Sequence, residues 1–267
     1  MSSDILLLAA RQPSAPTIGD ILFGDGVTTG AVYDLTDFST LKQSDGSSIT
    51  AVGQTVSKVY PKYSGTYPSG PVILSAASGI KLSQDSDGCY RLNYPSSSVN
   101  GLYSPAFFSA TASISVVIGS LTGYLSYPFY IFTAMTSSSN EQGWELEFVP
   151  GSGMGWGYWD NGGSNVGNFK GGSYSITTKS VMTLRATKSS LSSVTARSNG
   201  TNASLSTYAS ATISSTPVST QIFLGKPYTS GFNTKNFIYS FIVYGGILSS
   251  DKLAAAEAWV NERTGAY

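Results

Sequence analysis

Asn236-Phe237-Ile238-Tyr239-Ser240-Phe241-Ile242-Val243-Tyr244-Gly245-Gly246-Ile247-Leu248-Ser249-Ser250-Asp251-Lys252-Leu253, running on through Ala256, Trp259 and Val260 to Gly265, decides the fold class. β-Branched and aromatic residues crowd its first part. Strict alternation puts Phe237, Tyr239, Phe241 and Val243 on one face and Ile238, Ile242 and Tyr244 on the other. Both faces are apolar, which predicts a central strand covered on each side. Gly245-Gly246 ends it, and Ser249 or Ser250 can cap the helix that follows. Asp251 suits the first turn of that helix, where a carboxylate meets the positive end of the dipole. Leu253, Ala256 and Val260 mark one face, Trp259 flanks it, and Gly265 follows the end.

Upstream, the pattern is of short strands. Residues 112 to 119, 127 to 134 and 220 to 225 are strands by alternation and apolar content. Val181 to Tyr208 reads as a meander turning at Asn199-Gly200, a strong type I′ hairpin signal. About twelve such strands at regular spacing predict one sandwich rather than two domains. The sandwich is expected over residues 27 to 267.

Residues 1 to 26 differ. Ile5, Leu6, Leu7 and Leu8 precede Pro13-Ser14-Ala15-Pro16, and Ile18, Ile21, Leu22 and Phe23 follow. The prolines favour an extended arm. Its apolar clusters either pack on the chain's own sandwich or dock on a partner subunit. A homo-oligomer is compatible with such an arm.

Composition restricts function. Charged residues make up 11% of the 267, under half the usual share of about a quarter. Lys plus Arg and Asp plus Glu balance at 15 each, so there is no basic field to gather a nucleic acid. The chain has no histidine, which removes the commonest general base and metal ligand and every Ser-His-Asp or Cys-His mechanism. Cys89 stands alone and reads as a small strand residue beside Tyr90. The apolar run from Ile5 to Ala10 lacks a basic flank and is too short to span a bilayer, so synthesis and folding in a cytoplasm are expected. No cofactor or metal is expected. Asp34, Asp37 and Asp45 fit turn caps better than a Ca²⁺ site, since their spacing is not that of an EF-hand loop.

Two neighbouring segments could carry chemistry. In Gly143-Trp144-Glu145-Leu146-Glu147-Phe148 both carboxylates share one face, as in retaining glycosidases. Val149 stands where a third acid would complete that pattern, so a solvated strand face is the better account and no catalytic residue is assigned. Gly153-Met154-Gly155-Trp156-Gly157-Tyr158-Trp159-Asp160-Asn161 is its hairpin partner, with Gly155 and Gly157 leaving one face bare. Sugar recognition needs flat aromatic surface together with groups that bond hydroxyls. Trp156, Tyr158, Trp159, Asp160 and Asn161 supply both and are the candidate carbohydrate site, although core packing explains Trp156 and Tyr158 as well.

Ile238-Tyr239, Ile242-Val243-Tyr244, Leu248-Ser249-Ser250-Asp251 and Gly265 resemble the closing signature of LamG-like jelly rolls in the concanavalin A-like lectin/glucanase superfamily. Gly245-Gly246 replaces the family's Asn-Arg, and Ser240 its Glu. Ala31-Val32-Tyr33-Asp34-Leu35-Thr36-Asp37-Phe38-Ser39-Thr40-Leu41 with Val52-Gly53-Gln54-Thr55-Val56 is similar to the opening of such domains in bacteriophage structural proteins. There Val32, Leu35 and Thr55 replace Trp, Pro and Pro. The resemblance implies a concanavalin A-like β-sandwich jelly roll with one C-terminal helix. It also implies a bacteriophage virion protein, on a capsid or tail, and says little about the ligand. The missing catalytic groups make it non-enzymatic. The apolar N-terminal arm is the expected contact with other virion proteins, and the exposed sandwich is the expected surface for host glycans. An adhesin domain of a tail fibre and, more distantly, a polysaccharide-degrading enzyme are the alternatives.

Overall fold

A computed structural model describes residues 14–67, 70–76, 79–94, 101–104, 113–122, 129–135, 143–149, 153–160, 164–171, 178–187, 190–210, 221–227 and 236–267. In chain order the strands are β1 Gly30–Tyr33, β2 Leu41–Lys42, β3 Lys58–Val59, β4 Tyr63–Ser64, β5 Leu74–Ala76, β6 Lys81–Gln84, β7 Tyr90–Asn93 and β8 Leu102–Tyr103. There follow β9 Ser113–Thr122, β10 Phe129–Met135, β11 Gly143–Val149, β12 Gly153–Asp160 and β13 Ser164–Gly171. The last are β14 Ser180–Thr187, β15 Ser190–Ser198, β16 Thr201–Asn202, β17 Leu205–Ser210, β18 Gln221–Pro227 and β19 Asn236–Tyr244. Two α-helices, α1 Ile18–Phe23 and α2 Ser250–Thr264, flank the series.

All strand pairs described are antiparallel, and they form two sheets. The ten-stranded sheet runs β17-β13-β12-β11-β10-β18-β8-β5-β3-β2. The nine-stranded sheet runs β16-β15-β14-β9-β19-β1-β4, with β7 also paired to β19 and β6 beyond it. The protein is therefore an all-β sandwich closed by a C-terminal helix. The expected meander ends early, because β17 leaves the sheet of β14 to β16 and pairs with β13 in the other sheet.

β19 is central, between β9 and β1, as its two apolar faces require. Phe241 and Val243 enter the core between the sheets with Ala31, Tyr33, Val116, Phe132, Leu146 and Leu184. Ile242 and Tyr244 turn the other way, joining Val32 and Val117 under the helices. The simple alternation breaks at Tyr239-Ser240, where the register with β9 shifts between Ile238 and Phe241. This bulge returns Ile238 to the intersheet core and lets Ser240 Oγ accept the buried Leu35 N–H at 3.0 Å. An orphaned amide there would cost more than the irregularity.

The helices cover the outer side of the nine-stranded sheet. Leu253, Ala256 and Val260 of α2 pack with Val181, Ile242 and Tyr244. Glu257 is buried but satisfied: its Oε1 accepts from Thr183 Oγ1 at 2.7 Å and Arg197 Nε at 2.8 Å. Gly265 ends the helix in the left-handed conformation at φ 65°. Asn199-Gly200 forms the expected turn with positive φ at both residues, 49° and 71°.

The N-terminal arm needs correction. Residues 1–13, including Ile5, Leu6, Leu7 and Leu8, lie outside the described residues. The next part is not extended: Ile18–Phe23 is a helix opened by a capping box, with Asp20 N donating to Thr17 Oγ1 and Thr17 N to Asp20 Oδ2. Ile18, Leu22 and Phe23 are buried against α2 and the sheet, while Ile21 is half-buried. Lys252 Nζ donates to the Leu22 carbonyl at 2.9 Å, binding the two helices. Ile18, Leu22 and Phe23 thus belong to the chain's own core.

Candidate functional site

β12 lies inside the ten-stranded sheet, between β11 and β13. Register assigns its residues to faces. Leu102, Leu224, Phe132 and Leu146 stand in one cross-strand row, all buried in the intersheet core. Trp156 continues that row opposite Leu146, so it holds a core-side position, and Tyr158 and Asp160 follow it by alternation along the strand. Trp159 belongs to the opposite face, paired with Gly143 and Asn165. Asn161 lies outside the described residues. The candidate sugar residues are thus close in sequence yet divided between the two faces of the sheet.

The opposite face has its own row. Lys58, Ser75, Tyr103, Phe223, Thr133, Glu145, Gly157 and Asn168 succeed one another from β3 to β13. Lys58 and Tyr103 are exposed and Phe223 beside them is buried. Glu147 and Gly155 pair in the adjoining row, which Lys170 and Tyr130 extend on either side. Glu145 and Glu147 therefore share the outward face, as the sequence pattern requires.

A second cluster, which the sequence reading did not single out, sits where the β6–β7 turn meets the end of α2. Lys179 Nζ lies 2.8 Å from Asp85 Oδ2 and 2.7 Å from Asp87 Oδ2. Tyr239 Oη donates to Asp85 Oδ2 at 2.9 Å, and Cys89 N to Asp85 Oδ1 at 2.9 Å. The Arg91 guanidinium stacks 3.7 Å above the Phe237 ring centroid. Asp85, Asp87, Arg91 and Lys179 line a cleft of about 420 Å³. Burial opposes the charge of Asp85, but bonds from Lys179, Cys89 N–H and Tyr239 hold its carboxyl below the ordinary range. Burial opposes the Lys179 charge too, and Asp85 and Asp87 outweigh it, raising the ammonium above its usual value. Burial pushes the Tyr239 phenol up to about 12. Acid and base are both driven away from neutrality, the reverse of what proton transfer at pH 7 needs. The cluster is an electrostatic latch joining the β6–β7 hairpin to β14 and β19. Its sequence signal was the Asp85-Ser86-Asp87-Gly88 turn, but nothing local pointed to Lys179.

Asp34, Asp37 and Asp45 cap turns. Asp37 accepts from Ser39 N and Oγ, and Asp45 from Ser47 N and Oγ. Asp34 is fully buried. It accepts from Thr36 N and Oγ1, with Lys62 Nζ at 3.0 Å and Arg263 Nε at 3.2 Å. Burial works against its charge, and Thr36, Arg263 and Lys62 still keep the carboxyl below its usual range. Its counter-ions are thus side chains of the protein. Among the described residues, no three of His, Cys, Asp and Glu gather in a way that could hold a metal ion. Nor is any helix among them long and apolar enough to cross a membrane.

No protein-family model and no curated protein sequence matches the chain. Solved structures do. The binding domain of botulinum neurotoxin serotype C1 aligns with TM-score 0.56 at 12% identity, over 92% of this chain and 53% of that one. The binding domain of Paraclostridial Mosquitocidal Protein 1 aligns with TM-score 0.55 at 14% identity, over 92% and 53%. Trypanosoma rangeli sialidase aligns with TM-score 0.54 at 11% identity, over 89% and 33%. The chain spans about half of the two binding domains and a third of the sialidase. At these identities the likeness shows the fold alone.

Proposed function

We propose that this sandwich is a non-enzymatic glycan-binding module displayed on a bacteriophage particle. The observation that carries the binding part is the placement of β12. An inner strand rich in Trp, Tyr and Gly sits in the sheet opposite the one that both helices cover. Trp159, at an outward register position, is the proposed aromatic platform, with Trp156 and Tyr158 at core-side register positions of the same strand. Sharing a fold with the binding domains of botulinum neurotoxin serotype C1 and Paraclostridial Mosquitocidal Protein 1 supports the reading. The sialidase likeness does not outweigh the absence of histidine and of a third acid beside Glu145 and Glu147.

The particle assignment rests on the sequence resemblance of Ala31–Leu41 and Val52–Val56 to the opening of LamG-like domains in bacteriophage structural proteins. With Ile18, Leu22 and Phe23 taken up by the fold, docking on other virion proteins falls to Ile5, Leu6, Leu7 and Leu8.

A glycan array probed with the full chain tests the module. Binding to a defined subset of glycans, weakened on the order of tenfold by Trp159→Ala, is the expected result. A blank array refutes it, and release of reducing ends that Glu145→Gln abolishes would make the protein an enzyme. Mass spectrometry of purified particles from cells producing the protein tests the location.

A further inference from the structure

We propose a second ligand site: the cleft between the β6–β7 turn and the end of α2 takes a small zwitterion, its carboxylate on Arg91 and its ammonium on Asp87. The site lies away from the ten-stranded sheet and stands whether or not that sheet binds a glycan.

The cleft exists because α2 stops short. Thr264, in its last turn, sits so close to β9 that a Cβ on Gly119 would clash with Thr264 Oγ1. Val117 is buried beneath the helix, and Gly119 and Leu121 follow it on the same face by alternation. Leu121 therefore lies past the helix end and is only half-buried. It pairs with Phe237 of β19 on one side. On the other side Lys179 immediately precedes Ser180, the partner of Ser120. Leu121 is thus an apolar floor, walled by the Asp85–Asp87 turn, Arg91, Lys179 and the chain after α2. The enclosed volume, about 420 Å³, is within the range of small-molecule sites.

Arg91 supplies one end of the site. Its guanidinium is held over the Phe237 ring, and Nη1 reaches Tyr239 Oη at 3.4 Å. Those contacts fix its place but use one of its five N–H donors. Nε is buried and donates to no described group, so the protein only partly offsets the cost of covering this charge. Lys62, Lys179, Arg197 and Arg263 each have a carboxylate oxygen within 3.2 Å. Arg91 has none among the described residues. A fixed guanidinium with donors to spare matches a carboxylate, which its fork holds through two parallel bonds.

Asp87 supplies the other end. It shares the Lys179 ammonium with Asp85, and Asp85 also accepts from Tyr239 Oη and Cys89 N. The Asp87 side chain is 64% exposed. Its Oδ1 meets only Ser86 Oγ, at 3.4 Å, so it has room for another donor. The four charged groups that line the cleft cancel, with the positive surplus at Arg91 and the negative surplus at Asp87. A ligand of one sign would upset that balance, whereas one carrying both charges satisfies each end. Arg91, Tyr239, Asp85, Lys179 and Asp87 form a series of links, each between 2.7 and 3.4 Å. A ligand reaching from one end of that series to the other needs several methylenes between its charges, and these would lie over Leu121. An ω-amino carboxylate has that form.

The test titrates the full chain with ε-aminocaproate, caproate and hexylamine, read by calorimetry and by the shift in melting temperature. ε-Aminocaproate should bind, and the other two should each bind about tenfold more weakly or worse, because each lacks one charged contact. Arg91→Gln should weaken ε-aminocaproate binding by about tenfold or more. Asp87→Asn, at an exposed position, should weaken it severalfold and decides the matter alone if Arg91→Gln fails to fold. Lys58→Ala, in the other sheet, should leave it unchanged. No heat and no melting shift with ε-aminocaproate at tens of millimolar would mean that the cleft is not a site. Caproate binding as tightly as ε-aminocaproate would show a site for simple anions and overturn the ligand class. If Asp87→Asn, with native circular dichroism, binds as tightly as the native chain, the ammonium is held elsewhere and the assignment fails.

Discussion

Leu22→Ala tests whether the N-terminal helix is part of the fold. Leu22 has no exposed surface and packs in the cluster that joins α1, α2 and the outer side of the nine-stranded sheet. Deleting its branched end removes buried apolar surface and leaves a cavity that neighbours fill only in part. Such changes cost about 2–5 kcal/mol. A six-residue helix can shift somewhat to close the gap, so a value near the lower end, about 3 kcal/mol, is expected. In a protein of this size that corresponds to a melting temperature lowered by roughly 6–12 °C. Urea unfolding followed by tryptophan fluorescence should show a lower midpoint with an unchanged slope, because the surface exposed on unfolding hardly differs. Ile21→Ala, at the half-buried position beside it, should cost about 1 kcal/mol or less. Deletion of residues 1–26 should destabilise at least as much as Leu22→Ala, whereas deletion of residues 1–13 spares the helix. A Leu22→Ala protein within about 0.5 kcal/mol of the native chain would show that α1 is a detachable arm after all.

Asp34→Asn should cost about 3 kcal/mol, since it leaves Lys62 and Arg263 facing a neutral amide in a buried site. The folded carboxyl titrates below its unfolded value, so its contribution is complete above about pH 4 and is lost as pH falls through the folded value. Acid unfolding of the variant should accordingly be shallower than that of the native chain; identical acid limbs would refute this assignment. Gly265→Ala forces a Cβ into the left-handed region at φ 65° and should cost about 1–2 kcal/mol in the same urea assay. No measurable loss would mean that the helix end relaxes into another conformation.

Much of the fold was legible because periodicity records burial. Both faces of β19 are apolar because the second sheet covers one and the helices cover the other. The helix after Gly245-Gly246 was equally plain in its caps and apolar spacing. The bulge at Tyr239-Ser240 was not, because its cause is an amide at Leu35, remote in sequence. The helix at Ile18–Phe23 did leave a signal, Thr17 and Asp20 at capping-box spacing, which the neighbouring prolines outweighed in the sequence reading. The passage of β17 to the other sheet left none, since either sheet satisfies a short strand of mixed character. At the candidate site the sequence divides β11 and β12 into two faces. Which face is inward depends on Leu146 belonging to the core, a long-range fact that local pattern does not contain.

The central place of β19 governs how the protein can be made. Its partner β1 lies near the other end of the described chain, with Gly30 paired to Tyr244 and Tyr33 to Phe241. Ribosomes add about 5–20 residues per second, so roughly 200 residues separate the two partners by about 10–40 s. Throughout that interval β1, and from its own synthesis onward β9, present an unpaired apolar edge where β19 will later lie. Such edges are templates for misassociation with other nascent chains. Contacts of such long sequence separation also make folding slow once the chain is complete. Ribosome-stalled chains ending before Asn236 should therefore recruit chaperones and resist no protease, and completion of one strand should convert them to the folded state together rather than piece by piece.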